Sequence, residues 1–412
     1  MKLYIDTDHI VSELDELAGF SDAPAPAVTR IVFSPADLQA RAWLKEKCAA
    51  AGLGVREDAV GNCFARWAGT DPSLPAVASG SHIDAIPHSG RFDGTVGVVG
   101  MLEAMRALQA AGFRPRRSIE LIHFTSEEPT RFGLGCLGSR LLSGSLAAER
   151  AAALKDTHGA TLDEVREAAG FTGGLESVAL PPNRYHAFVE LHIEQGPLLE
   201  RTQVPLGVVT AIAAPATLDI AVQGEGGHAG GVLMPYRRDA LAAAAEIVLA
   251  VEAAAKSTGA IDTVGTVGIC EVFPGAVNSV PSQVRITADV RDVQLERRNA
   301  VLAAIGERCQ AVAASRRVTV TCDVLNADAP AECSVLVMGA LEAACRELEV
   351  AYRSMVSRAY HDSLFMARIA PTAMLFIPCR DGVSHRPDEF ATPEDIARGT
   401  LVLAHALARL AG

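Results

Sequence analysis

The chain has 412 residues, of which 49% are hydrophobic and only 5% aromatic. That length exceeds what a single core usually supports, so two domains are expected, and no run reaches the roughly 20 apolar residues of a membrane span. Net charge is −12, from 37 basic and 49 acidic side chains, which argues against nucleic acid as a partner because phosphate neutralisation needs a basic surface. The start, M-K-L-Y-I-D-T-D-H-I, lacks the apolar stretch of a secretory signal, so a cytoplasmic, non-membrane protein is expected. The nine cysteines include no C-x-x-C pair and read mostly as reduced, buried side chains; they support neither a zinc ribbon nor a disulfide framework.

In chain order, Ala36 to Ala51 reads as an amphipathic helix and Ala76 to Ser81 as a short buried strand ending at His82. From Val98, Leu102, Met105 and Leu108 recur at helical spacing. Ser118 to Thr125 is a β-rich run that ends at Glu127 and Glu128, and Ala187 to Leu191 is another that ends at His192. Beyond Ala211 the pattern changes. Strands are expected at Thr217 to Val222, Thr263 to Ile269, Gln283 to Val290 and Val318 to Val324, with helices at Arg238 to Ala255 and Gln294 to Ala313. That β-α-β-β-α-β order is ferredoxin-like. A helix (Ser334 to Leu348), a strand (Thr372 to Ile377) and a terminal helix from Pro393 follow. The expected domains are a catalytic one of residues 1–212 and 330–412 and an inserted one of 213–329. The fold class is α/β, a mixed-sheet catalytic domain interrupted by an α+β insert.

Chemically loaded motifs follow the predicted strand ends, where α/β sheets place their sites. His82, Asp84 and Asp93 lie in S-G-S-H-I-D-A-I-P-H-S-G-R-F-D-G, and Glu127 and Glu128 in H-F-T-S-E-E. His192 and Gln195 lie in E-L-H-I-E-Q-G, and His385 in G-V-S-H-R-P-D-E. Histidines and carboxylates in this number can hold two divalent metals with one carboxylate bridging, while a neighbouring acid moves protons. Asp84 is expected to orient His82 by accepting the second ring N–H. Two adjacent glutamates after an apolar strand would repel without a cation. Gly133-x-Gly135-x-x-Gly138 matches a dinucleotide fingerprint literally, but residues 127–132 separate it from its strand, so it is set aside.

Together these residues resemble the M20 metallopeptidase superfamily in its amidohydrolase branch, which includes N-carbamoyl-L-amino acid, allantoate and ureidoglycolate amidohydrolases. The resemblance implies a two-metal catalytic domain with an inserted lid that also makes a homodimer. It implies metal ligation by His82, Asp93, Glu128, His192 and His385, with Asp93 bridging and His82 and His192 on different metals. Glu127 matches the general base. His228, Asn278 and Arg291 match substrate binders, with His228 polarising the scissile carbonyl. Tyr360 and His361 are expected beside them, and Gln195, in the polar run after the strand, is expected either to line the substrate pocket or to support the metal ligands.

Two departures bear on the substrate. The chain reads H-A-G-G-V-L-M-P from His228, and Tyr360 stands where many members have glycine; both variants resemble ureidoglycolate amidohydrolases. The expected reaction is metal-dependent hydrolysis of the terminal ureido group of a small carboxylate, first ureidoglycolate to glyoxylate, ammonia and carbon dioxide. Allantoate and N-carbamoyl-L-amino acids compete. A peptidase, or a ligand-binding protein without catalysis, is more distant. Mixed His and carboxylate ligands suit Mn²⁺ or Zn²⁺, with Co²⁺ as a third choice. His88 and Cys379 receive no role.

Overall fold

A computed structural model describes all 412 residues. They form two compact units: residues 1–211, 332–357 and 361–412 make one, and residues 212–331 with 358–360 the other. In the first unit, α1 spans Thr7–Ala18 and α2 Pro35–Ala50. The Ser34 side chain accepts the Asp37 N–H and Pro35 opens the first turn, the two signals that start α2. Strands β1 (Gly54–Glu57), β2 (Cys63–Trp67) and β3 (Ala76–His82) follow, then helix α3 (Thr95–Ala110). Strand β4 is Ile119–Phe124, α4 Leu137–Leu142, β5 Tyr185–Ile193 and β6 Gly207–Ile212.

The second unit runs β7 (Ala214–Gln223), α5 (Ala240–Ser257), β8 (Val264–Phe273), β9 (Gln283–Asp292), α6 (Leu295–Arg316) and β10 (Thr319–Ala327). The strand order is β8-β9-β7-β10 and every pairing is antiparallel, the ferredoxin-like arrangement. Leu218, Ile220 and Val222 alternate along β7 and share one core with Ala243 and Ile247 of α5 and Ile305 of α6. Strand β8 runs four residues past the expected end at Ile269. A register shift between Val267 and Ile269 breaks the alternation by which a strand is read from sequence. Residues 358–360 group with this unit because Arg358 pairs with Asp262 at 2.6 Å and the Arg291 guanidinium lies 5.8 Å from the Tyr360 ring centre.

The chain then completes the first unit with α7 (Val335–Glu347), β11 (Arg353–Ser357), α8 (Asp362–Met366), β12 (Thr372–Ile377) and α9 (Pro393–Ala411). Its large sheet has the order β6-β12-β5-β3-β4-β2-β1, with the short Ala331–Glu332 strand beyond β6 and β11 also paired to β6. The four inner strands β12, β5, β3 and β4 are mutually parallel, and the outer pairings are antiparallel. All residues of β3, β4 and β12 are buried, as strands covered on both faces must be. Helices α3 and α9 pack together against this sheet. In register, His82 lies opposite Phe124 and His192 opposite Phe376. The four parallel strands therefore end along one edge, and the loops leaving it carry the loaded motifs.

Candidate metal centre

His82 closes β3, His192 stands near the end of β5, Glu127 and Glu128 follow β4, and His385 follows β12. Asp93 precedes α3, and its two carboxylate oxygens divide the group. Oδ1 lies 3.2 Å from His192 Nε2 and 3.7 Å from His82 Nε2. Oδ2 lies 3.1 Å from His385 Nε2, which is itself 3.4 Å from Glu128 Oε1. Two donor triads result, His82–Asp93–His192 and Asp93–Glu128–His385, each with its ligand atoms within 4.8 Å of one another. This corrects the expectation that His82 and His192 serve different metals. They rise from neighbouring parallel strands with ring centres 6.2 Å apart, and both face the same Asp93 oxygen.

The hydrogen bonds assign the tautomers. His82 Nδ1 lies 3.0 Å from the Asp84 carbonyl and His192 Nδ1 2.9 Å from the Ile193 carbonyl, so each ring donates there. With Nδ1 donating, each Nε2 faces Asp93 Oδ1, and His192 Nε2 also lies 3.1 Å from the Gly94 N–H. Two acceptors face each other only when a cation or a proton lies between them. Gly94 permits the approach: its φ is +67°, and a Cβ there would lie 2.4 Å from His82 Nε2.

Electrostatics give the same answer. Burial, opposed by His82 and reinforced by Glu128, pushes the Glu127 carboxyl well above its usual range. Burial and the neighbouring Asp93 raise Glu128 to about 7. Asp93 is held well below the usual range despite burial, by hydrogen bonds from His192, His385 and His82. The donor types and this excess of buried acid fit divalent cations, whose charge would offset the repulsion.

Asp84 does a different job from the one expected. The His82 ring is served by the Asp84 backbone carbonyl, while the carboxylate Oδ1 stands 3.7 Å away. That carboxylate instead accepts the backbone N–H groups of Glu127 at 3.2 Å and Glu128 at 3.0 Å. It thereby fixes the turn that presents both glutamates. Gln195 Nε2 donates to Asp93 Oδ2 at 2.8 Å and to the Ser384 hydroxyl at 3.2 Å, so its amide is committed to the cluster. The His361 ring packs 4.4 Å from His192, buried, with Nε2 3.1 Å from the Ser357 hydroxyl.

His228, Asn278, Arg291 and Tyr360 all lie in the second unit. His228 is exposed on a two-residue strand paired with Ser279–Val280, and Ala229 N–H donates to the Asn278 carbonyl at 2.8 Å. The Arg291 fork meets Asp289 at 2.7 Å.

Two residues here stand inside the quoted motifs but were given no role from the sequence. Glu389 Oε1 accepts the N–H groups of Phe92 (2.8 Å) and Asp93 (3.1 Å), and its Oε2 accepts the Ser384 hydroxyl at 2.9 Å. It ties the Asp93 loop to the His385 loop across almost 300 residues. Glu190, fully buried on β5, accepts from the Ser81 and Ser363 hydroxyls and from the Ser363 N–H. Neither follows a periodic pattern; the one cue was an acid four residues past His385. The set-aside glycine-rich segment straps the glutamate turn instead. N–H groups of Cys136, Leu137 and Gly138 donate to the carbonyls of Glu127, Ser126 and Thr125. Seven cysteines are buried, Cys379 among them; Cys270 is exposed and Cys322 intermediate. His88 occupies a left-handed turn whose N–H donates to the Thr29 hydroxyl.

The chain is 51% identical to a ureidoglycolate hydrolase of Oryza sativa subsp. japonica, over 99% of this chain and 85% of the relative. It is 38% identical to an N-carbamoyl-L-amino acid amidohydrolase of Geobacillus stearothermophilus, over 99% of both. Among solved structures, AtUAH in complex with glyoxylate superposes with a TM-score of 0.91 at 51% identity, covering 99% of this chain and 98% of that one. The same AtUAH is known in complex with (S)-hydroxyglycine. The model of peptidase family M20/M25/M40 matches residues 78–409, and with these relatives it establishes that the chain belongs to that family.

Proposed function

We propose that the protein hydrolyses the terminal ureido group of ureidoglycolate. One observation carries the reading: this donor cluster, buried except for His385, with its paired glutamates, belongs to a chain about half identical over 99% of its length to ureidoglycolate hydrolases. The glyoxylate and (S)-hydroxyglycine held by AtUAH match the chemistry. Water attacks the ureido carbonyl, the C–N bond breaks, and carbon dioxide, ammonia and hydroxyglycine result. Hydroxyglycine, a hemiaminal, then expels a second ammonia to leave glyoxylate.

His82, Asp93 and His192 would hold one divalent ion, and Asp93, Glu128 and His385 another; when bound, such ions lower the proton affinity of water and polarise the carbonyl. Glu127, its Oε2 turned toward His82, takes the proton from water and returns it to the departing nitrogen. His228 Nδ1 accepts the Gly230 N–H at 3.1 Å, so Nε2 keeps the ring proton and can donate to the oxyanion. Arg291 offers a planar fork for the substrate carboxylate once released from Asp289, and Asn278 and Tyr360 offer hydrogen bonds. This reading requires the inserted unit to deliver those four groups, as a lid and in a cytoplasmic homodimer. Mn²⁺ is the first choice of metal and Zn²⁺ the second.

The test is ammonia release by Mn²⁺-reconstituted protein on ureidoglycolate, allantoate and N-carbamoyl-L-amino acids in parallel. Chelator-sensitive turnover of ureidoglycolate far above the others is expected. Preference for another ureido compound would overturn the substrate and keep the mechanism. Glu127→Gln is expected to lose at least about 100-fold in turnover, the usual contribution of a general base. Near-normal turnover with metals bound would refute the mechanism.

A further inference from the structure

Cys136 keeps a side chain where the backbone favours none. Its φ is +55°, in the left-handed region where glycine is unstrained, and the flanking loop already uses glycine at 133, 135 and 138. The side chain is fully buried and reaches a reacting group. Its Sγ–H donates to Glu127 Oε1 at 3.3 Å, while its backbone N–H donates to the Glu127 carbonyl at 2.7 Å. The same residue thus grips Glu127 at both main chain and side chain. The other carboxylate oxygen, Oε2, faces His82 Nε2 at 3.7 Å.

A carboxylate attached to a flexible chain has two equivalent oxygens and can rotate between them. Tying one of them down fixes which oxygen faces the cluster. A thiol suits the task because it is a weak donor, directing the carboxylate while leaving most of its electron density available.

We propose that Cys136 is a positioning residue for catalysis: its thiol holds Glu127 Oε1 so that Oε2 faces the metal cluster and the attacking water. The inference rests on the reading of Glu127 as the base, so its test must fail separately from that reading.

The experiment compares Cys136→Gly, Cys136→Ser and Glu127→Gln with the parent, all reconstituted with Mn²⁺, for kcat, KM, metal content and melting temperature. Cys136→Gly removes the thiol and relaxes the left-handed backbone. Its melting temperature should not fall, its KM and metal content should stay the same, and its kcat should drop on the order of fivefold, one hydrogen bond's worth. Cys136→Ser, which restores a donor, should recover most of that loss. A Cys136→Gly protein with kcat within twofold of the parent, beside an inactive Glu127→Gln, would overturn the proposal and leave the base in place. Equal impairment of the Gly and Ser variants with lowered melting temperatures would assign Cys136 to packing and overturn it too. Activity in Glu127→Gln would remove the base on which the proposal stands.

Discussion

Replacing Glu389 with alanine should damage the metal centre without touching a candidate ligand. The Glu389 carboxylate accepts two backbone N–H groups, from Phe92 and Asp93, and the Ser384 hydroxyl. Phe92 and Asp93 are buried, so alanine strands two amides away from water at about 1–3 kcal/mol each. The cost falls on the loop that carries Asp93, which both donor triads share. Loss of an outer support of this kind lowers metal affinity by about 10- to 100-fold. Glutamine is the control. It keeps an oxygen for the two amides and can offer its own N–H to Ser384, so it should stay within about 1 kcal/mol of the parent. Calorimetric titration of Mn²⁺ into chelator-treated proteins, with melting curves at fixed metal, reads both effects. If the alanine variant bound Mn²⁺ within twofold of the parent, or if glutamine proved as harmful as alanine, the clamp would not be what holds Asp93.

Two other substitutions follow from the same geometry. Gly94→Ala would place a Cβ 2.4 Å from His82 Nε2 at a φ of +67°, so Mn²⁺ titration should show affinity for the His82–Asp93–His192 triad largely lost; parent-like binding would refute the close approach. His123, on β4, is fully buried with both ring nitrogens unpartnered, and burial holds it well below its usual 6.5. The unfolded chain therefore binds a proton that the folded one refuses, and stability falls as pH drops below 6.5, by up to about 1.4 kcal/mol per pH unit. His123→Leu should remove that slope while leaving stability at pH 8 equal or higher. Urea unfolding of the metal-free proteins between pH 5 and 8 would decide it, and parallel pH dependences would refute the assignment.

The sequence by itself determined much of the framework. Buried β-runs that lead into charged residues are informative: the strand Ala76–His82 closes on a histidine, and Ile119–Phe124 runs into the Glu127–Glu128 turn. Thr372 to Ile377 was legible to the residue, since parallel inner strands are unbroken apolar runs. The ferredoxin-like order of the insert was legible from alternation and helical spacing, while its edge strand β8 was cut short because a bulge erased the alternation. Only the tertiary structure decided how the donors group. Which carboxylate oxygen faces which ring depends on the strand order β12-β5-β3-β4, and no spacing along the chain encodes that order. The same holds for Glu389, Cys136 and the Asp84 carboxylate. Each acts through hydrogen bonds to partners distant in sequence or folded back by a loop, and such bonds leave no period in the chain. Local physics marks where elements begin and end, and the meeting of their ends in space fixes what the residues there do.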